Sequence, residues 1–209
     1  MKKPYYKIKD GMRHFKFKDT LAYLQVHGKE KFGPQFKIHK EDVKTLHKLI
    51  IYMIHEDIQC KKYGIDLNKG ILLTGPVGCG KTSWMKIVQT LVLPEQTFQV
   101  KSTRDIAFEF NQNGFDTIQT YGKNRQRPIC LDDIGVEQNI KFYGNECNTI
   151  AEILLQRYDL LVNHQIVTHA TTNLTAKEIE ELYGKRVRSR LREMFNLISF
   201  PASTKDKRK

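Results

Sequence analysis

The sequence has 209 residues, with 35 Lys and Arg against 23 Asp and Glu, which gives a net charge of +12 at pH 7. This length suits one sizeable core with an appendage. No segment is apolar enough to span a membrane, and the basic start is followed by charged residues, so we expect a cytoplasmic protein with no membrane partner. The four cysteines form no C-x-x-C pair and have no nearby His at metal-ligand spacing, which argues against a disulfide framework and a zinc site. These are Cys60, Cys79, Cys130 and Cys147.

The positive charge is concentrated at the two ends of the chain. Residues 1–40 carry 11 basic and 3 acidic side chains, and residues 184–209 carry 9 basic and 2 acidic ones. Lys and Arg that neutralise phosphates drive nucleic-acid binding, so this distribution favours DNA as a partner. A solvated basic surface would have the same composition, and that alternative stays open.

Residues 1–40 mix Lys with aromatic residues and show no sustained helical period, which predicts a partly extended N-terminal arm. The aromatic side chains could stack on unpaired bases or pack on the core. They are Tyr5, Tyr6, Phe15, Phe17, Phe32 and Phe36. From Glu41 the apolar residues recur every three or four positions, which predicts a helix that ends near Gly64.

Short apolar strands and helices alternate through the rest of a predicted core at residues 41–200, before a basic tail at residues 201–209. Strands are expected at residues 71–73, 98–100, 129–131, 165–170 and 197–200. Helices are expected at residues 83–91, 104–111, 147–162 and 176–183 and after Gly184. This alternation predicts an α/β fold with a central, mostly parallel sheet covered on both faces.

Residues 75–82, GPVGCGKT, match the phosphate-loop pattern G-x-x-x-x-G-K-S/T at every fixed position. Glycines let the backbone curl so that N–H groups point at phosphate oxygens, and the next helix adds its positive dipole end. We expect Lys81 to bind the β- and γ-phosphates of ATP and the Thr82 hydroxyl to bind Mg²⁺. An ordinary strand-to-helix turn is the alternative. The predicted nucleotide-binding residues are Gly75, Pro76, Val77, Gly78, Cys79, Gly80, Lys81, Thr82 and Ser83.

The apolar strand at residues 129–131 ends on Asp132 and Asp133, the Walker B arrangement. Carboxyl ends of parallel strands lie beside the phosphate loop, so Asp132 can reach the metal. Asp133 is then placed to polarise a water for attack on the γ-phosphate. Two solvated loop carboxylates would give the same pattern.

Asn173 follows the strand at residues 165–170, and its amide could hydrogen-bond both the γ-phosphate and the attacking water. A polar helix cap is the alternative, because Asn and Thr favour that position. Its place after the two phosphate-binding segments favours the first role.

Arg186 and Arg190 lie four residues apart, on one face of a predicted helix. A guanidinium can stabilise the charge on a transferring phosphoryl group, including from a neighbouring subunit. We assign this role to Arg190, with Arg186 supporting it or contacting phosphate itself. A solvated basic helix face is the alternative.

Four segments resemble, in order, the AAA+ ATPases of the DnaC/IstB group, which includes bacterial helicase loaders and transposition helper ATPases. They are GPVGCGKT, LDDIG at residues 131–135, TTNL at residues 171–174 and YGKRVRSRLREM at residues 183–194. The resemblance implies a three-layer P-loop NTPase fold, Asp132 for Mg²⁺, Asp133 for water activation, Asn173 as sensor and Arg190 as a finger acting in trans. It also implies a homo-oligomer on single-stranded or duplex DNA, with a helicase or transposase as partner.

The sequence departs from that group at both ends. Residues 1–40 are shorter than a helicase-gripping domain, and no helical lid is expected after the last strand. We therefore expect a protein that binds and hydrolyses ATP, assembles on DNA and acts in replication or transposition. Two alternatives stay open: a small-molecule P-loop kinase with residues 186–192 as a lid, and a scaffold with negligible hydrolysis, since Asp133 stands where many such ATPases carry Glu.

Overall fold

The computed structural model describes residues 6–9, 12–137, 140–142 and 145–208. Its strands, in chain order, are β1 (Tyr6–Lys9), β2 (Met12–Phe15), β3 (Gly70–Thr74), β4 (Gln99–Ser102), β5 (Ile129–Asp132), β6 (Ile140–Phe142), β7 (Asn145–Cys147), β8 (Thr168–Thr172) and β9 (Phe195–Ser199). Its α-helices are α1 (Phe17–Phe32), α2 (Val43–Met53), α3 (Asp57–Lys62), α4 (Lys81–Val88), α5 (Thr103–Asn113), α6 (Phe115–Tyr121), α7 (Thr149–His164) and α8 (Ala176–Met194).

A parallel five-stranded sheet forms the centre, in the order β4-β5-β8-β3-β9. Alternate side chains of its strands enter two separate apolar clusters. Ile71 and Leu73 pack with α1, α2 and α4 on one face, while Leu72 packs with α5, α6, α7 and α8 on the other. This alternation is the period of a strand buried on both faces, so the predicted three-layer α/β architecture is confirmed.

The predicted extended arm is wrong for residues 17–32, which form α1. Its buried face consists of Thr20, Leu24 and Gly28, at four-residue spacing. Gly28 lies against the ring of Phe36, and an atom of that ring is 2.2 Å from where a Cβ of residue 28 would stand. A larger residue at position 28 would therefore collide with the ring. Phe36 packs edge-on against Trp84, with the ring centres 5.3 Å apart. Of the two alternatives for the aromatic residues, stacking on bases or packing on the core, Phe36 therefore takes the second.

The single helix predicted from Glu41 to Gly64 is two helices, α2 and α3. His55 lies between them with φ of 54°, a left-handed conformation that an α-helix does not accommodate. The two helices predicted on either side of Gly184 are confirmed: α8 is interrupted there, because Gly184 has φ of 82° and ψ of 164°, which are not helical. Helix α6 and the β6–β7 hairpin were not predicted.

Residues 201–208 follow β9 without a helix and return towards the segment between β3 and α4. Within the described residues, none of the helices combines the length and the apolar character needed to cross a membrane. Tyr5 and Lys209 lie outside the described residues.

His169, on the central strand β8, is buried and uses its Nδ1 to accept a hydrogen bond from the Ile71 N–H at 3.1 Å. Burial, with a smaller effect from the charge of Arg157, lowers the pKa of His169 to about 3. The unfolded chain binds this proton below about pH 6.5, whereas the native state stays neutral down to about pH 3. Stability is therefore lost as the pH falls from 6.5 towards 3.

We expect His169→Asn to reduce this loss, because the Asn oxygen can accept the same hydrogen bond and does not titrate. Between pH 7 and pH 5 the free energy of unfolding should fall by about 2 kcal/mol more in the wild type than in the variant. Urea unfolding at the two pH values measures the difference. His164→Asn, at an exposed histidine, is the control and should behave as the wild type. Equal pH dependence in His169→Asn and wild type would contradict the assignment.

Candidate nucleotide-binding site

The segment between β3 and α4 has the backbone conformation that the glycine pattern predicts. Gly78 and Gly80 have φ of 80° and 96°, which other residues rarely adopt. Gly80 precedes the first turn of α4, where N–H groups lack partners within the helix and the helix dipole is positive. The turn is therefore suited to an anion.

Lys81 is 6% exposed, and its Nζ donates to the carbonyl oxygens of Gly75 at 2.9 Å and Pro76 at 3.1 Å. Among the described residues, its side chain has hydrogen bonds to carbonyl groups and no ion pair with a carboxylate. A buried ammonium is costly unless an opposite charge accompanies it, so the residues of the loop fit a polyphosphate.

The Asp132 carboxylate lies at the end of β5 and is 7% exposed. Its Oδ1 accepts hydrogen bonds from Thr82 Oγ1 at 3.0 Å and from Thr171 Oγ1 at 2.8 Å. Burial raises the pKa of the Asp132 carboxyl, and the two hydroxyl hydrogen bonds act in the opposite direction. Thr171 is a residue that sequence analysis missed, although it belongs to the TTNL segment.

The predicted metal ligands Thr82 and Asp132 are thus in direct contact. Within the described part of the chain, no group of three or more His, Cys, Asp and Glu side chains could enclose a metal ion by itself. Mg²⁺ in nucleotide sites takes few protein oxygens and completes its shell with phosphate and water. A hydroxyl and a carboxylate at this spacing fit that mode of binding.

Asp133 has φ of 58°, an uncommon conformation for a residue other than glycine. Neighbouring chain segments fix it, because its N–H donates to Thr171 Oγ1 at 2.8 Å and its carbonyl accepts from Thr103 Oγ1 at 2.8 Å. Strained backbone persists where surrounding bonds hold it, often at functional sites. Asp133 lines a cavity of about 640 Å³ together with Lys81 and Thr82.

Asn173 is exposed and lines the same cavity. The helix that follows is capped by Thr175, whose hydroxyl accepts from the Glu178 N–H while Glu178 binds the Thr175 N–H. The cap alternative is therefore wrong for Asn173. Its side chain stays available to the cavity.

The remaining loop residues divide between two sides of the segment. The cavity is lined by Val77, Gly78, Gly80 and Ser83, whereas Gly75 and Pro76 border a separate groove of about 720 Å³. Cys79 is fully buried beneath the loop.

The structure does not bring Arg186 and Arg190 into the cavity of their own chain. Arg186 is exposed on α8. The Arg190 guanidinium lies 5.0 Å from the centre of the Tyr158 ring, and its Nη1 donates to the Arg186 carbonyl at 3.4 Å. The role predicted for Arg190, as a finger that acts from a neighbouring subunit, stays a prediction.

The cavity is also lined by residues that sequence analysis did not predict there. They come from the end of α1 and the segment after it, from α4 and from the C-terminal tail. These residues are Phe32, Gln35, Phe36, Lys37, His39, Trp84, Lys207 and Arg208. No sequence motif joins these distant segments, because only the folded chain brings them together.

Comparisons with known proteins give a match at the level of structure. No protein-family model matches the sequence, and no curated protein matches it. The crystal structure of the DnaC helicase loader aligns with a TM-score of 0.55 and 17% identity, over 79% of this chain and 93% of that chain. The crystal structure of DnaI aligns with a TM-score of 0.54 and 16% identity, over 79% of this chain and 88% of that chain. The chain therefore shares the fold of these two proteins.

The predicted resemblance to the DnaC group is thus confirmed for the fold. In this DnaC-like fold the phosphate loop follows β3, and Asp132 ends β5, with β8 between the two strands. Thr171, on β8, binds Asp132 through its hydroxyl and pairs with Leu73 of β3 through its backbone.

Replacing Thr171 by Val keeps the volume but removes the hydroxyl that binds Asp132 and accepts from Asp133. Leaving these buried groups without their partner should lower the free energy of unfolding by about 2 kcal/mol. Thr171→Ser, the control, keeps the hydroxyl and loses one methyl group, which should cost about 1 kcal/mol. Urea unfolding measures both losses. A Ser variant less stable than the Val variant would argue against the hydroxyl bridge.

Proposed function

We propose that this protein is a AAA+ ATPase that binds ATP with Mg²⁺ in the 640 Å³ cavity and hydrolyses it. The observation that carries the proposal is the presence, in one cavity, of Lys81, Thr82, Asp133 and Asn173, with Asp132 bound directly to Thr82. Each of these residues has its own role in the transfer of a phosphoryl group to water.

In this proposal Lys81 binds the β- and γ-phosphates, and the N–H groups at the start of α4 bind their oxygens. Thr82 and Asp132 would hold Mg²⁺, which supplies positive charge next to the β- and γ-phosphate oxygens. Asp133 accepts a hydrogen bond from the attacking water, and Asn173 orients that water against the γ-phosphate. Hydrolysis lost in Asp133→Asn, with ATP binding kept, would separate an ATPase from a nucleotide-dependent scaffold.

Arg190 lies outside the cavity of its own chain, so we assign it to the cavity of a neighbouring subunit. A head-to-tail assembly places the same surface of each subunit against the site of the next. The Tyr158 ring already holds the guanidinium at the surface of the chain. Arg186, one helical turn away and exposed, supports it or contacts phosphate.

Arg190→Ala should reduce ATP turnover by about 1,000-fold while leaving ATP binding intact, because the finger acts on the transition state. Lys81→Ala should remove ATP binding itself. In an equal mixture, Lys81→Ala subunits supply Arg190 to the intact sites of Arg190→Ala subunits, and turnover should recover to roughly a quarter of the wild type in a head-to-tail ring.

Phosphate release measures this turnover, and Arg192→Ala is the matched control. Arg192 lies on the same helix but borders the separate 720 Å³ groove. ATP turnover by Arg192→Ala should therefore equal that of the wild type. A mixture with no more activity than its two components would show that Arg190 does not act across subunits.

We further propose that the basic ends bind DNA and that the protein acts with a helicase in replication. The support for DNA is the charge of residues 1–40 and 184–209, which includes exposed Lys7 and Arg13 on the β1–β2 hairpin. The support for a helicase is the shared fold with a protein described as a helicase loader. A transposase partner stays the alternative that sequence analysis left open.

DNA binding through these residues should weaken steeply with salt, because each neutralised phosphate releases counterions. Replacing Lys7 and Arg13 together by Ala should reduce the slope of log K against log salt by about 2 on duplex DNA. Fluorescence anisotropy between 50 and 200 mM salt measures the slope. Lys61→Ala, which removes an exposed lysine between the two basic ends, is the control. Affinity that is independent of salt would remove the DNA part of the proposal.

A further inference from the structure

The C-terminal tail, residues 201–208, packs on the phosphate loop. Thr204 is 5% exposed, and its N–H closes a turn on the Pro201 carbonyl at 3.0 Å. The N–H of Lys207 then donates to the Gly78 carbonyl at 3.1 Å. The Asp206 carboxyl carbon lies 2.2 Å from where a Cβ of residue 78 would stand, so this glycine is needed for the contact.

The Lys207 side chain fastens the tail to the rest of the fold. Its ammonium forms an ion pair with the carboxylate of Asp42, which is fully buried at the start of α2. The same ammonium donates to the Cys79 carbonyl at 3.1 Å and lies 5.3 Å from the centre of the Phe200 ring. Removing one member of such a pair leaves a buried charge without its partner, which is strongly unfavourable. The pair therefore holds the tail closed.

Arg208 follows this fixed point and lines the cavity that is also lined by Lys81 and Thr82. Its N–H donates to Asp206 Oδ1 at 2.9 Å, which sets the direction of the chain. Its side chain is 69% exposed, and the described contact of its Nε is Asp206 Oδ1 at 3.7 Å. A guanidinium so placed can bind phosphate oxygens with little rearrangement.

We propose that the tail is a strap that closes the nucleotide cavity, with Arg208 as a phosphate ligand in the same chain and the Lys207–Asp42 pair as its latch. This inference rests on the proposed ATP binding and adds to Lys81 a second cation from the same chain, remote from the phosphate-loop motif. Because the strap contacts the loop at Gly78 and lines the cavity, we expect a bound nucleotide to leave faster when the latch opens. The strap therefore controls retention of the nucleotide.

Titration calorimetry of the full chain with Mg²⁺ and the slowly hydrolysed analogue ATPγS tests the role of Arg208. Arg208→Ala should weaken binding by about tenfold, the effect of one partly exposed charge-assisted hydrogen bond. Arg208→Lys should recover part of the affinity, and the melting temperature without nucleotide should not change in either variant. Lys205→Ala, in the exposed part of the tail, is the control and should bind as the wild type.

The latch is tested by the double variant Asp42→Asn with Lys207→Gln, which removes both charges and leaves neither unpaired. Stopped-flow release of a fluorescent ADP should be about tenfold faster than in the wild type, because the strap no longer stays closed. If the double variant released ADP at the wild-type rate, or if Arg208→Ala bound ATPγS with wild-type affinity, the strap proposal would be overturned. The proposed ATP binding would still stand. A wild-type chain that binds no ATPγS would overturn the proposed function as well.

Discussion

The hydrogen bonds to the Asp132 carboxylate join three elements that chain connectivity keeps apart. Asp132 ends β5, Thr171 lies on β8 and Thr82 lies in the first turn of α4, which follows β3. β8 lies between β5 and β3 in the sheet, so the Thr171 hydroxyl holds the carboxylate from the neighbouring strand, while the Thr82 hydroxyl joins it directly to the loop side. The same hydroxyl fixes the backbone of Asp133. The positions of the candidate metal ligand Asp132 and of the candidate base Asp133 are therefore not independent.

The residues at the carboxyl ends of β3 and β5 could be predicted because each follows a short, continuous apolar run. GPVGCGKT and the two aspartates each have a local pattern, and parallel strands bring such ends to one edge. The two alternatives for Asn173 could also have been decided from sequence. Thr175 and Glu178 have the spacing of a capping box, which assigns the cap to Thr175 and leaves Asn173 for the cavity.

Other parts of the fold have no local pattern from which to predict them. Helix α1 buries Thr20, Leu24 and Gly28, a face too small and too polar to appear as an amphipathic helix among lysines. Gly28 disfavours a helix by propensity, yet its missing Cβ is what admits the Phe36 ring. The Lys207–Asp42 pair joins residues 165 positions apart. Only the sheet, once formed, brings α2 and the end of β9 close enough for this contact.

Under the proposed function, the residues held at the cavity and the arginine outside it differ in what they require from a second subunit. Lys81, Thr82 and Asp132 are already held by hydrogen bonds within one chain, so under the proposed function a single chain can bind ATP. Arg190 is held over Tyr158, outside its own cavity, and cannot act on that nucleotide. Preorganised charge lowers a barrier only where it meets the charge that develops in the transition state. Under the proposed function, binding is thus a property of the chain, whereas efficient hydrolysis is a property of the assembly.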